Sequence, residues 1–129
     1  GLKDFQQLIL IKKHIIQKGI KTKVVQCKTI REKNGIASST RNFNLNYQEL
    51  KIASNVYKYL IYLKKKIKIN YKSFKKNIIM NDLLSIGVSK IDYIENINLN
   101  NLKKNKKSRS KLRLFIAYYI KNIRLIDNI

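Results

Sequence analysis

Thirteen consecutive residues, Lys64 to Lys76, hold seven lysines and no acid, with Ile67, Ile69, Tyr71 and Phe74 threaded between them. Any fold must leave these ammonium groups in water or against an anion, because burying an unpaired charge is prohibitive. From Lys66 to Lys72 apolar and polar residues alternate, which predicts an extended strand with lysines on one face and packing residues on the other. The same constraint reaches the whole chain. Its 29 basic residues against 7 acids give a formal charge of +22, carried by all parts of the sequence rather than by a tail. Self-repulsion of that size predicts a permanent polyanionic partner. Lysine outnumbers arginine 24 to 5, a choice suited to neutralising phosphate and unsuited to planar bidentate reading of bases. The competing reading is a solvated surface, enriched in Lys, Ile and Asn by an AT-rich coding sequence.

A chain of 129 residues with 44% hydrophobic content makes one domain with a core. One cysteine, Cys27, and one histidine, His14, allow no internal disulfide and no Cys/His metal set. Cys27 is expected to be buried or half-buried, and His14 to face the surface or a phosphate. No apolar run approaches the roughly 18 residues that span a bilayer, and a chain that begins on Gly1 instead of Met is expected to lack its true start. Seven acids and single Cys and His residues assemble no nucleophile, base and stabiliser, so the expectation is a non-enzyme with no cofactor, no metal and no small-molecule substrate.

Four helices are predicted, near 4–18, 47–63, 82–97 and 110–127, with at most one short strand pair: a mainly α fold, a small bundle with basic loops. Asp4 with Gln7, and Asn46 with Glu49, read as capping boxes, and Gly19 as the stop of the first helix. Residues 20–30 are β-branched and read as extended, and 31–44 as a loop turning at Asn34-Gly35. That loop lacks the further glycines of a phosphate-binding GxxxxGK[ST] or GxGxxG motif. Tyr57, Tyr59 and Tyr62 cannot all face the core. The third helix holds Asp82, Asp92 and Glu95, an acidic face expected to turn towards protein. Ser108 or Ser110 is expected to cap the fourth, whose first turn crowds Arg109, Lys111 and Arg113 where the helix dipole disfavours cations unless an anion is at hand. Leu8, Ile15, Leu50, Leu60, Phe115 and Ile120 are the expected core.

The run Asp4, Phe5, Leu8, Leu10, Ile11, Lys12, Lys13, Ile15, Gln17, Lys18, Gly19 resembles the first-helix signature of the eighteenth protein of the bacterial-type small ribosomal subunit. Leu50, Ala53, Lys58, Leu60 and Leu63 are similar to the second helix of that family. The resemblance covers residues 4–19 and 50–63; the loop between them is longer here, the family's Pro-Arg-Arg is absent, and nothing beyond Leu63 corresponds. Tyr62, Leu63, Lys65, Lys66, Tyr71 and Lys72 also resemble part of the fifteenth small-subunit protein.

The resemblance implies a structural constituent of an organellar ribosome, mitochondrial or else plastid, lying beside neighbouring ribosomal proteins and away from any membrane. Its implied rRNA contacts in the two helices are Lys12, Lys13, Lys18 and Lys58. The charge reading adds Lys64, Lys65, Lys66, Lys68, Lys72, Lys75, Lys76, Lys103, Lys104, Lys106, Lys107, Arg109 and Arg113. Residues 1–63 would form the RNA-binding core, with 64–129 a basic and helical extension packed on it. The alternative is a non-enzymatic basic subunit of an organellar complex or a membrane-surface protein.

Overall fold

A computed structural model describes residues 1–107 and 111–129. After a 3-10 turn at Leu2–Asp4 comes α1, Phe5–Gln17, followed by extended chain, a tight turn and a second 3-10 turn, Thr40–Asn44. Next are α2, Tyr47–Ile69, a 3-10 turn at Tyr71–Ser73, and α3, Lys76–Ile86. Four strands complete the described residues: β1 Lys90–Asn98, β2 Lys103–Lys104, β3 Leu112–Ile120 and β4 Ile123–Asn128. They form one antiparallel sheet in the order β2-β1-β3-β4. The fold is therefore helices on a sheet, and the expectation of a mainly α bundle is overturned.

The first two helices lie close to their expected places. At α1 the proposed capping box does not form, since Asp4 holds the N-cap position without a side-chain hydrogen bond. At α2 it does: Asn46 Oδ1 accepts from the Glu49 N–H, and Glu49 Oε2 accepts from the Asn46 N–H. That start propagates through the lysine block, so Lys66–Ile69 is the last turn of α2 and not a strand. Leu60, Leu63 and Ile67, at i, i+3 and i+7, are all buried, and this seam outweighs the local alternation.

The third and fourth helices do not exist as expected. Gly87 takes φ +111° and ends α3, with the Val88 N–H bonded back to Leu83 O. A side chain at Gly87 would also meet Ile52 of α2. The Ser89 N–H then donates to Tyr119 O and starts the sheet. In β3, Leu112, Leu114, Ile116, Tyr118 and Ile120 alternate into the core beside Leu60, Leu63, Ile67 and Leu83. Residues before and after position 63 share this one cluster. Of the expected core, Leu8, Leu60 and Ile120 are buried, while Ile15, Leu50 and Phe115 are only half-buried. Cys27 is exposed, against expectation. The cap expected at Ser108 or Ser110 lies outside the described residues.

The acids of the misread helix meet cations of the chain itself: Asp92 lies 2.7 Å from Arg124 and Glu95 3.1 Å from Lys76. Glu49, buried at the α2 cap, accepts from Lys121 Nζ at 2.7 Å. That bond and the Asn46 N–H hold its carboxyl below the ordinary glutamate range. A depressed folded value gives stability that is complete above the unfolded value and is lost as pH falls through the folded one. Glu49→Gln should therefore lower stability at neutral pH and leave a shallower acid limb, read from urea midpoints against pH. In the same assay Ile67→Ala should cost about 2 to 5 kcal/mol, and Lys68→Ala less than about 0.5 kcal/mol.

Candidate functional site

Three segments far apart in sequence converge on one cleft: the chain start, the 31–44 loop and β4. Arg31 binds them. Its Nη1 and Nη2 donate to Asp127 Oδ2 and Oδ1 at 2.7 and 2.9 Å, and Nη1 also donates to Gly35 O at 3.0 Å. The guanidinium lies 4.6 Å from the centre of the Tyr57 ring, on α2. Burial is the largest influence and pulls the Arg31 value down, but the Asp127 hydrogen bonds and the charge attraction of Asp127, with a smaller one from Tyr57, together outweigh it, so the net shift is upward. Next in sequence, Asn128 Nδ2 donates to Leu2 O and Lys3 O, both at 2.8 Å, while its Oδ1 accepts from Arg113 Nη1 at 3.1 Å. Arg113 in turn covers Phe5, whose ring packs 5.4 Å from that of Phe115.

The 31–44 loop is shaped by its own polar groups. Its turn forms where Asn34-Gly35 predicts it, with the Gly35 N–H bonded to Glu32 O and the Ile36 N–H to Asn34 Oδ1. Gly35 has φ +88°, and a Cβ there would enter the Tyr57 ring. Ser54 of α2 donates its hydroxyl to Asn34 O and anchors the turn. Beyond it, Ser39 caps the second 3-10 turn by accepting from the Arg41 N–H.

Lys3, Ser39, Arg41 and Asn42 line the cleft above a floor of Ile36, Ala53, Tyr118 and Leu125. Lys3 Nζ donates to Ser38 O at 3.0 Å, leaving further N–H bonds available. Burial, with help from Arg41 and Arg31, holds its ammonium below the ordinary lysine range although Asp4 and Asp127 oppose the shift. Burial first, and Asp127 second, push the Tyr118 phenol up, so it stays neutral. Asn42 Nδ2 donates to Ala37 O, and its buried Oδ1 accepts from no group among the described residues. The cleft thus brings two cations, Lys3 and Arg41, and the Ser39 hydroxyl together beside the Asp127 carboxylate. Among the described residues no His/Cys/Asp/Glu group fit to hold a metal is present.

The model of the Pantoate-beta-alanine ligase family matches residues 1–129. The chain belongs to that family. It is 38% identical to the pantothenate synthetase of Ruthia magnifica, covering 100% of this chain and 46% of that protein. The Clostridium botulinum pantothenate synthetase is also 38% identical, over 99% of this chain and 46% of its own length. The chain thus spans about half the length of these relatives. Among solved structures, the Francisella tularensis pantoate-beta-alanine ligase, complexed with beta-gamma ATP and beta-alanine, aligns with TM-score 0.68 and 32% identity over 98% of this chain and 40% of that one. Thermus thermophilus pantothenate synthetase shares the fold at TM-score 0.82 and 24% identity, over 98% of this chain and 46% of that one.

Family membership overturns the ribosomal reading in each part: the resemblance to the eighteenth small-subunit protein, the rRNA and ribosomal-protein partners, the organellar ribosome as location, and the expectation of a non-enzyme with no small-molecule substrate. The residues assigned to rRNA do not gather at the cleft; none of those described lines it. Lys12 and Lys13 lie on α1 with Lys18 at its end, Lys58, Lys64, Lys65, Lys66 and Lys68 on α2, and Lys72 in the 3-10 turn after it. Lys75 and Lys76 begin α3, and Lys103 and Lys104 form β2 with Lys106 and Lys107 beyond. Lys76 pairs with Glu95, Lys66 lies over the Tyr62 ring, and Arg113 braces Phe5 and Asn128. Arg109 lies outside the described residues.

Charge density does not point to Lys3, Ser39 or Arg41, because each stands apart from the lysine-rich runs of the sequence. The available signal was the Ser-Ser-Thr-Arg-Asn run at 38–42, a cluster of donors around one arginine inside a loop. Removing the carboxylate that gathers the cleft should leave Arg31 half-buried and unpaired. Asp127→Ala is expected to cost about 3 to 5 kcal/mol in denaturant unfolding, more than Asp92→Ala at an exposed pair, at about 1 kcal/mol or less.

Proposed function

We propose that this chain supplies the phosphate-holding part of a ligase that joins pantoate to beta-alanine at the expense of ATP. The observation that carries the reading is the convergence of Lys3, Ser39 and Arg41 on one cleft in a chain matched throughout by the ligase family. The family's name describes an amide bond between a carboxylate and an amine. A carboxylate is a poor electrophile, so ATP must first turn one of its oxygens into a leaving group. Negative charge then develops on phosphate oxygens, and pre-positioned cations stabilise it most where water is scarce. Lys3 and Arg41 are those cations, the Ser39 hydroxyl is a neutral donor between them, and the apolar floor excludes water from beneath. The likeness to the Francisella tularensis ligase, complexed with beta-gamma ATP and beta-alanine, supports this ligand class.

The test grafts these residues in place of the matched segment of the Ruthia magnifica enzyme and follows ATP- and beta-alanine-dependent consumption of pantoate. Lys3→Ala or Arg41→Ala should lower kcat/KM about 100-fold or more with the fold unchanged, whereas Lys103→Ala in the lysine-rich surface should not. An active graft indifferent to both cleft substitutions would remove Lys3 and Arg41 from the reaction.

The lowered Lys3 value sets a pH dependence. A bound phosphate favours the charged amine and raises that value again, so binding takes up a proton at the alkaline pH where the free Lys3 amine is partly neutral. Affinity for an unhydrolysable ATP analogue should fall as pH rises through the Lys3 titration. Calorimetry at alkaline pH, where Lys3 begins to lose its proton, in buffers of different ionisation enthalpy should show proton uptake on binding, and Lys3→Ala should abolish it.

A further inference from the structure

Arg113 is half-buried on β3, and no carboxylate among the described residues pairs with it. Burial pulls its value down with no acid to oppose the shift, and Lys64 of α2 lies close enough for the two charges to repel. An ion pair therefore does not explain this arginine. Its Nη1 donates to Asn128 Oδ1 at 3.1 Å, and its guanidinium carbon stands 4.9 Å from the centre of the Phe5 ring, which packs on Phe115. None of Arg113, Asn128 and Phe5 lines the cleft.

Both contacts end on the segment that carries Lys3. Asn128 is buried, and its Nδ2 donates to Leu2 O and Lys3 O at 2.8 Å each. Phe5 follows Lys3 by two residues. One guanidinium thus grips the chain start twice, at the Leu2 and Lys3 carbonyls through Asn128 and at the Phe5 ring directly. Only one orientation of the Asn128 amide serves both neighbours, with its oxygen towards Arg113 and its nitrogen towards the two carbonyls. Without the Arg113 donor a buried carbonyl oxygen is left unsatisfied, a cost that favours turning or shifting the amide until it meets another donor. Either movement releases Leu2 O and Lys3 O. We infer that Arg113 is a positioning residue for Lys3: acting through Asn128 and Phe5, it fixes the main chain from which the Lys3 ammonium enters the cleft. Its consequence for turnover rests on the phosphate-holding reading of the cleft, and its effect on the placement of Lys3 does not.

Substitutions in the Ruthia magnifica graft test it. Arg113→Met keeps an unbranched stem and removes the donors, whereas Arg113→Lys keeps a donor and the charge. Arg113→Met should speed hydrogen exchange of the Asn128 side-chain amide at least about 10-fold, and should move the Lys3 titration, followed by NMR of its side chain, back towards the ordinary lysine range. It should lower kcat/KM about 10- to 100-fold, the loss expected when a reacting group is misplaced by about 1 Å. In a Lys3→Ala background the same substitution should cost less than about 2-fold, because its effect passes through Lys3. Arg113→Lys should restore amide protection and most of the activity. Lys64→Met removes a charge near Arg113 but no contact to Asn128, and should change none of these readouts. Should Arg113→Met not fold, the milder Arg113→Gln carries the same measurements. An Asn128 amide and a Lys3 titration that do not respond would overturn the inference. So would an equal loss of kcat/KM with and without Lys3, which would make Arg113 a general support of the fold. The two readings fail separately: a graft whose turnover ignores Lys3→Ala discards the phosphate reading, while amide exchange and the Lys3 titration still decide this one.

Discussion

The ion pair between Arg31 and Asp127 holds the rest of the site in place. It spans 96 residues of sequence and ties the 31–44 loop to the last strand. Through Asn128 the same strand end grips the main chain at Leu2 and Lys3. Lys3 reaches the cleft because its backbone is clamped there, and Arg41 because its loop is. A buried or half-buried pair gives little net stability once desolvation is counted, but it gives one geometry at high cost for any other. The bidentate contact, the Tyr57 ring beneath it and the absence of a side chain at Gly35 all serve that geometry.

Against a charge of +22, how the acids are placed matters more than how few they are. Glu32 accepts from Ser38, Glu49 from Lys121, Asp82 from Tyr59, Asp92 from Arg124, Glu95 from Lys76 and Asp127 from Arg31. The scarce carboxylates therefore stitch loops and strands together, and most lysines are left to solvent. Lysine density follows the composition of the chain, and none of the described residues of the lysine block lines the cleft. Net charge bears on solubility, encounter rates and non-specific binding, and not on fold. The ribosomal reading failed at that step: helices rich in Ile and Lys resemble one another whatever they do.

What the residues alone determined is local. The Asn46/Glu49 capping box, the Asn34-Gly35 turn, the position of α1 and the start of α2 could be read directly, because each depends on groups within a few residues of one another. Leu112 to Ile120 could not: a continuous apolar run satisfies a helical stripe and a buried strand equally well. Pairing with β1 on one side and β4 on the other decided it, and those hydrogen bonds come from residues that no local pattern names. The lysine block shows the same in reverse, since its alternation lost to a helix whose seam ends on Ile67, 0% exposed. The cleft was the least legible part. Lys3, Ser39, Arg41 and Asp127 are unremarkable in their own neighbourhoods and acquire a chemistry only when long-range ion pairing brings their backbones together, which tertiary structure alone decides.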